Sequence, residues 1–590
     1  MASSAPAASE RTPLLAPQAA RASADSSSEA VSPGGSTTAE PAPADAEAEH
    51  EAFERAKEAL PLSILVPSIL SLFTVLFLAA LDGTLTVTLV SSISSSFSAA
   101  ELLPWLGLSY MLSTCVFSPI YGKLSDVVGR KPAILTALVL FMLGTGLCST
   151  ATSMAYLIAA RAVAGMGGGG LLTCTSIILT DLLPLRKRGL FQGLTQIIFS
   201  IGSALGGPVG GFLTEALGWR AAFGVQVPLL GLSTLAIVIF LRLPPHPSSS
   251  GPTSTAGFSS RAMTLLGRMD LLGSLFLVTS LLSLLFGLSL LSASRLPFSH
   301  PAVYSCLLAF PLLAAAFVYV ESIVKEPVLP LRLLRQRTTV CASLFYLLSS
   351  AAITGLFFHL PLYFEAVLLQ SPRQAGLHFI PLSVFTSLGS VGAGLYMKWS
   401  GRYWWLLLAC NVATVTSTAY LATWNERTSD IGTWLGITPC GGGAGAYTIM
   451  LVAVISSLGR ADQAAANGLI YLMRGLGQVV GLSLLGALFQ ELLATQLNAR
   501  ITGPHARETI ERLRHDTTYI LRLGDKLQKE ATASYAFAFR GMMLAVTVLS
   551  VLCILLGMGV REHSLGGEKK ADEEGAPAGP AAAASQEERA

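Results

Sequence analysis

Charge is what this sequence has least of. Only 12% of its 590 residues are Asp, Glu, Lys or Arg, where a soluble domain carries about a quarter. With 52% hydrophobic residues and a mean hydropathy of +0.60, that scarcity excludes a soluble enzyme of this length. Paired cysteines are missing too. The eight present (Cys115, Cys148, Cys174, Cys306, Cys341, Cys410, Cys440 and Cys553) stand singly in apolar segments, spaced neither for a disulfide framework nor for a metal site, and read as small packing residues. There is no basic block. Its 38 basic residues face 35 acidic ones, a formal net charge of +3, which excludes nucleic acid and leaves small solutes and lipid as partners. No Gly-Lys-Ser or Gly-Lys-Thr follows the run GMGGGG (165–170), so it cradles no phosphate, and no nucleophile stands with a base. No catalytic residue, metal or cofactor is therefore expected. The opening MASSAPAASE has neither a basic start nor an apolar run, so the first span is expected to direct insertion itself.

What is present is apolar length. A bilayer crossing takes about 20 apolar residues, and about fourteen such stretches follow one another. They fall at 62–90, 104–121, 133–150, 154–181, 190–213, 220–241, 271–291, 302–321, 339–364, 375–397, 403–422, 431–457, 467–490 and 537–560. Segments 1–59 and 561–590, rich in Ala, Ser, Pro and Glu, are expected to be disordered. Lys and Arg crowd alternate loops: Lys123, Arg130, Lys131, Arg186, Lys187, Arg188, Lys398 and Arg402 lie on one side, and only Arg220, Arg295, Arg373 and Arg427 in the short loops of the other. That asymmetry places both termini in the cytosol. One long loop on the far side, about 491–535, carries the pair Glu508 and Arg512 with Ile510, Leu513, Ile520 and Leu527, a pattern that predicts a helix against the outer face.

The loop after the second span repeats after the tenth. Gly122, Asp126, Gly129 and Arg130 match Gly394, Lys398, Gly401 and Arg402 at identical spacing, as expected of duplicated bundles with a solute site between them. The first copy, GKLSDVVGRKP, resembles the loop signature of the major facilitator superfamily, departing from it at Val127 where a basic residue is usual. LDGTLTV (81–87), AARAVAGMGGGG (159–170) and GSALGGPVGG (202–211) resemble motifs of its fourteen-span drug:proton antiporter branch. In the last of these, Gly202, Gly206, Gly210 and Gly211 bare one helix face and Pro208 loosens the helix. GGGGLLTCTSIILTDLLPLRKRGLFQG and WRAAFGVQVP, with Gln226, are most similar to fungal vacuolar basic amino acid transporters. The resemblance implies an all-α integral membrane protein of the major facilitator fold: one six-helix bundle at 60–243, a linker with two extra helices at 244–338 and a second six-helix bundle at 339–560. It implies a proton-coupled antiporter moving basic amino acids from cytosol into the vacuole. The alternatives are a plasma-membrane multidrug or toxin exporter and a non-transporting nutrient receptor.

Charges within spans are costly and mark candidate sites. Asp82 and Arg161 both lie roughly 10 to 12 Å below the same membrane face, counted at 1.5 Å per residue. As a pair they offer one carboxylate for which a proton and a cationic solute compete; the alternative is a permanent structural pair. Tyr363 and Glu365 near the outer end of the ninth span suit a cationic substrate, unless Glu365 is a solvated loop residue. Arg474 matches another recurrent branch position and is expected to pair with an acid across the bundle interface. His359 and His378 either titrate or are satisfied by hydrogen bonds. Asp126 and Arg130 are expected to pair with helix ends or charges of the facing bundle in one conformation only. In the N-terminal tail, Glu10, Leu14 and Leu15 form an acidic dileucine pattern, which a sorting adaptor would read as a vacuolar or lysosomal address.

Overall fold

The computed structural model describes residues 61–97, 102–243, 270–292, 299–324, 327–370, 372–425, 428–502, 506–515 and 517–562. Glu10, Leu14 and Leu15 lie outside the described residues, as do both tails apart from positions 561 and 562. Every regular element described is helical. The first half contains α1 (Leu62–Phe97), α2 (Leu103–Val128), α3 (Arg130–Ser149), α4 (Met154–Leu182), α5 (Leu185–Leu217), and the broken pair α6 (Trp219–Gly224) and α7 (Gln226–Phe240). Two linking helices follow, α8 (Leu271–Ser292) and α9 (Pro301–Ile323). The second half contains α10 (Arg337–Ala366), α11 (Pro372–Leu377), α12 (Phe379–Ser400), α13 (Trp404–Leu421), α14 (Asp430–Leu435), α15 (Gly442–Ser457), α16 (Arg460–Arg500), α17 (Ala506–His515) and α18 (Asp525–Gly559).

Thirteen helical stretches among the described residues are long and apolar enough to cross a membrane. The helix α2, 26 residues long, is not among them, because Ser109, Ser113, Ser118, Lys123, Ser125 and Asp126 interrupt its apolar run. Its neighbours explain the tolerance: α2 packs against α4 on one side and α16 on the other, so protein rather than lipid covers its polar positions.

The long loop expected at 491–535 is shorter in the structure. The helix α16 runs on to Arg500 with Leu493 and Leu497 buried four residues apart, and α18 begins at Asp525 with Ala531 and Tyr535 buried. Hydropathy marks where lipid ends; a buried i, i+4 face carries a helix beyond that point. The helix expected within the loop is present as α17, whose Ile510 and Leu513 pack into the second-half core. Its last carbonyls include Leu513 O, which accepts a hydrogen bond from the Tyr535 hydroxyl at 2.6 Å.

In the first half α4 packs against α2 and α3, and α1 against α5. The glycine run within α4 serves this contact. A Cβ on Gly169 would stand 2.5 Å from Thr114 O, so only glycine lets α4 and α2 lie this close. In the second half α10 packs against α16 and α18, α13 against α18, and α12 against α15. The linking helix α8 touches both halves: Leu277, Leu281 and Leu285 share one apolar cluster with Leu112 and Val116 of α2 and with Leu469 and Leu472 of α16.

The halves meet along two seams near the ends that carry the Lys- and Arg-rich loops. At the first, Gly122 and Gly468 bring α2 against α16; a Cβ on Gly122 would stand 3.0 Å from Ala464 O, and one on Gly468 3.0 Å from Pro119 Cα. Ser176 Oγ of α4 donates to Asn467 Oδ1 of α16 at 3.2 Å beside it. At the second seam α5 crosses α12, where Gly189 faces Gly394 and a Cβ on Gly193 would lie 2.9 Å from Ser390 O. The repeated loops are thus placed alike: Gly122 and Gly394 each lie where one half crosses the other. A Gly193→Leu substitution is expected to prevent this seam from closing and to stop turnover. Gly392→Leu on α12, whose Cβ meets nothing within 4 Å, is expected to leave transport unchanged; initial uptake rates of the two variants check this.

Candidate functional site

Beyond the seams lies a cavity of about 750 Å³ between the halves, within the range of small-molecule sites. On the first-half side α5 supplies one helical face, Gln196, Phe199, Ser200 and Ser203, joined by Thr84 and Met111. The second half supplies Ser350, Thr354, Asn411, Tyr447, Arg474 and Gln478 along with Phe357 and Phe379. Among the described residues Arg474 is the one charged member of this lining. Its guanidinium lies 5.5 Å from the Tyr447 ring centroid. That ring is held by two contacts: its hydroxyl is 3.0 Å from Ser350 Oγ, and its backbone carbonyl accepts from the Tyr346 hydroxyl at 2.6 Å. The expected acid across the interface is not there: among the described residues Arg474 has no carboxylate partner.

Asp82 and Arg161 come together as expected. Arg161 Nη1 donates to Asp82 Oδ2 at 2.6 Å, with both side chains sealed from solvent. The guanidinium also lies over Tyr110, 4.4 Å from its ring centroid. Two polar atoms of the pair are left over, since Asp82 Oδ1 and Arg161 Nε have no hydrogen-bond partner. Neither residue lines the cavity. What joins them to it is α5. Gly202 and Gly206 face the stretch of α1 that carries Asp82, and a Cβ on them would stand 2.6 Å from Phe77 O and 2.7 Å from Leu81 O, while Ser203 and Ala204 of the same stretch form cavity wall. Gly211, by contrast, has open space around it.

The remaining expected site residues are elsewhere. Gln226 is buried on α7, its amide donating to Ala222 O at 3.2 Å. Tyr363 is a core anchor: its hydroxyl donates to Asn425 O at 2.9 Å and its ring packs on Trp424 and Phe539. Glu365 is half-buried near the end of α10 and takes no part in the cavity. Both histidines are hydrogen-bonded, His359 Nδ1 to Gly355 O at 2.8 Å and His378 Nε2 to Gln370 Oε1 at 3.1 Å. In the loop after α2, Gly129 has φ +102°, which glycine alone adopts cheaply. Arg130 is held within its own half by Asp126 and, at 2.8 Å, by Asp181 Oδ2 at the end of α4. The short Asp126-to-Arg130 connection and the end of α4 bring these carboxylates to Arg130, while Gly122 meets the other half.

The sequence pattern of the Major Facilitator Superfamily matches residues 72–482. The chain belongs to this superfamily. It is a multi-pass membrane transporter and not an enzyme. Among its superfamily relatives is the multidrug resistance protein fnx1 of Schizosaccharomyces pombe, 36% identical over 83% of this chain and 91% of that one. The vacuolar membrane amino acid uptake transporter fnx2 of the same yeast is 30% identical over 83% of both chains. The MFS-type efflux pump LUC4 of a Fusarium species is 28% identical over 84% of this chain and 90% of that one. The fold agrees with a solved superfamily structure, the proton:xylose symporter XylE, at a TM-score of 0.55 and 15% identity over 85% of this chain and 97% of that one.

Proposed function

We propose that the chain is a proton-coupled antiporter that moves amino acids from the cytosol into the vacuole, holding the substrate α-carboxylate on Arg474. The observation that carries this is the charge of the cavity: among the described residues Arg474 is its one charged lining residue, set among neutral amides, hydroxyls and aromatic rings. A guanidinium binds a carboxylate through two parallel N–H donors, a geometry suited to the end common to all amino acids. The amide oxygens of Gln196, Asn411 and Gln478 supply acceptors for the ammonium end. Because Asp82 and Glu365 stand outside the cavity, a basic side chain meets no carboxylate there among the described residues. The reading therefore rests on the carboxylate, which neutral and basic amino acids share, and the likeness to a vacuolar amino acid uptake transporter supports it.

In this reading Asp82 takes the coupling proton at Oδ1, the oxygen Arg161 leaves unbonded. Neutralising Asp82 weakens its hold on Arg161. Through the glycine-tight contact of α1 with α5 the change reaches the cavity wall and the seam with α12.

A multidrug exporter is the second reading, favoured by the cavity aromatics Phe199, Phe357 and Phe379 and by the likeness to fnx1. The two separate in ATP-energised vacuolar membrane vesicles from yeast with and without the chain. Uptake of labelled lysine, histidine and glutamine that appears with the chain and collapses with an uncoupler is the expected result. Absence of uptake above the chain-free control, in vesicles shown to contain the protein, overturns the amino acid reading.

A further inference from the structure

The linking helices end in a pair of buried carboxyl groups that the transport cycle above does not use. Asp270 caps α8: its Oδ1 accepts from the Gly273 amide at 2.7 Å. Glu321, in the last turn of α9, accepts from the Leu329 amide through Oε1. The second oxygens, Asp270 Oδ2 and Glu321 Oε2, have no hydrogen-bond donor, and the two residues are only 6% and 4% exposed. Both oxygens converge over Gly273, where an added Cβ would collide with Asp270 Oδ2 and stand 3.0 Å from Glu321 Oε2. Among the described residues, few charged groups lie on the packed elements. Lys123 of α2 acts on Glu321 across the gap, while Asp462 of α16 is occupied by Arg332 at 2.6 Å.

Two ionised carboxylates cannot share one buried contact, and the usual resolution is a single proton held between them. We propose that Asp270 and Glu321 form a proton-binding site on the linking helices, separate from Asp82 and outside both bundles. One carboxyl donates to the other, which satisfies both orphan oxygens at once. The position gives this proton a consequence. The helix α8 lies across the first seam, packed on α2 and α16 together, and the carboxyl pair closes it at the end carrying the basic loops. Loss of the proton puts a second negative charge into the contact, drives the ends of α8 and α9 apart and draws Lys123 toward them. The brace over the seam loosens, and that end of the protein opens more easily. The inference is independent of what the transporter carries.

Infrared spectroscopy of the purified full-length protein at neutral pH tests it. The wild type is expected to show the carbonyl stretch of a buried, protonated carboxylic acid, and that band is expected to be lost in Glu321→Gln and in Asp270→Asn while surviving in Asp82→Asn. Asparagine keeps the cap on α8, so the second variant answers even where the first fails to fold. A companion measurement labels Cys115, buried in the seam beside Gly475, in protein whose other cysteines are replaced. Every thiol labels faster as its thiolate fraction rises with pH, so labelling should quicken more steeply in the wild type than in Glu321→Gln, whose rise is that of the thiol alone. A band unchanged in both amide variants, or absent from the wild type, overturns the proposal, as does an identical pH profile of labelling.

Discussion

Asp82→Ala is expected to cost about 3 to 5 kcal/mol of stability, the penalty for removing one partner of a buried ion pair, and to abolish transport with it. The size follows from burial. Arg161 is 1% exposed, and the carboxylate 2.6 Å away is its one ion-pair partner among the described residues; the Tyr110 ring face cannot replace a counter-ion. Loss of transport in that variant would therefore not separate coupling from folding. The double variant Asp82→Asn with Arg161→Gln does. It leaves two neutral amides at hydrogen-bonding distance with no charge to bury, and it should recover most of the lost thermal stability. Its exchange behaviour then decides the role of the pair. Counterflow of labelled amino acid, which needs only the alternation of the two halves, is expected to persist, while proton-driven accumulation is expected to be absent. A double variant that folds and still accumulates substrate against its gradient would make the pair purely structural. Melting curves and the two uptake assays in reconstituted vesicles give the answer.

The pairing of Asp82 with Arg161 was legible because a charge in lipid must find a partner and the two residues lie at the same depth. The repeat of Gly122 and Gly394 was legible as spacing, and its meaning became plain once both glycines stood at crossings between the halves. The cavity was not legible. Gln196, Tyr447 and Gln478 are neutral residues inside apolar spans, and nothing in one helix shows which way it faces when the facing surface belongs to a helix some 280 residues on. One signal was present in retrospect: Gln478 follows Arg474 by four positions and so shares its helix face. Tyr363 and Glu365 misled because nearness to a span end says nothing of rotation about the helix axis. The turn of α10 sends Tyr363 into the cluster with Trp424 and Phe539. Asp270 and Glu321 sit at span ends, where carboxylates are ordinarily solvated. Only the packing of α8 against α9 shows that these two are buried.

Arg474→Ala is expected to weaken amino acid binding about ten- to a hundredfold. A hydrogen bond to a charged group contributes about 1.5 to 3 kcal/mol, and each 1.4 kcal/mol is about tenfold in affinity. Arg474→Lys keeps the charge without the paired donors and is expected to fall between the wild type and alanine. The sharper comparison changes the substrate. Lysinamide has the cationic side chain and the ammonium of lysine but no carboxylate, so it is expected to compete poorly with labelled lysine in the wild type. In Arg474→Ala the two should compete equally, because the group that tells them apart is gone. Equal competition in the wild type would show that Arg474 does not read the carboxylate. An apolar drug reports differently again. With no anionic group to offer, it gains nothing from a guanidinium whose desolvation it must oppose, so its export should be unchanged or faster in Arg474→Ala. The same substitution is thus expected to lower amino acid transport and to leave drug transport undiminished, and whether transport falls identifies which of them this cavity serves.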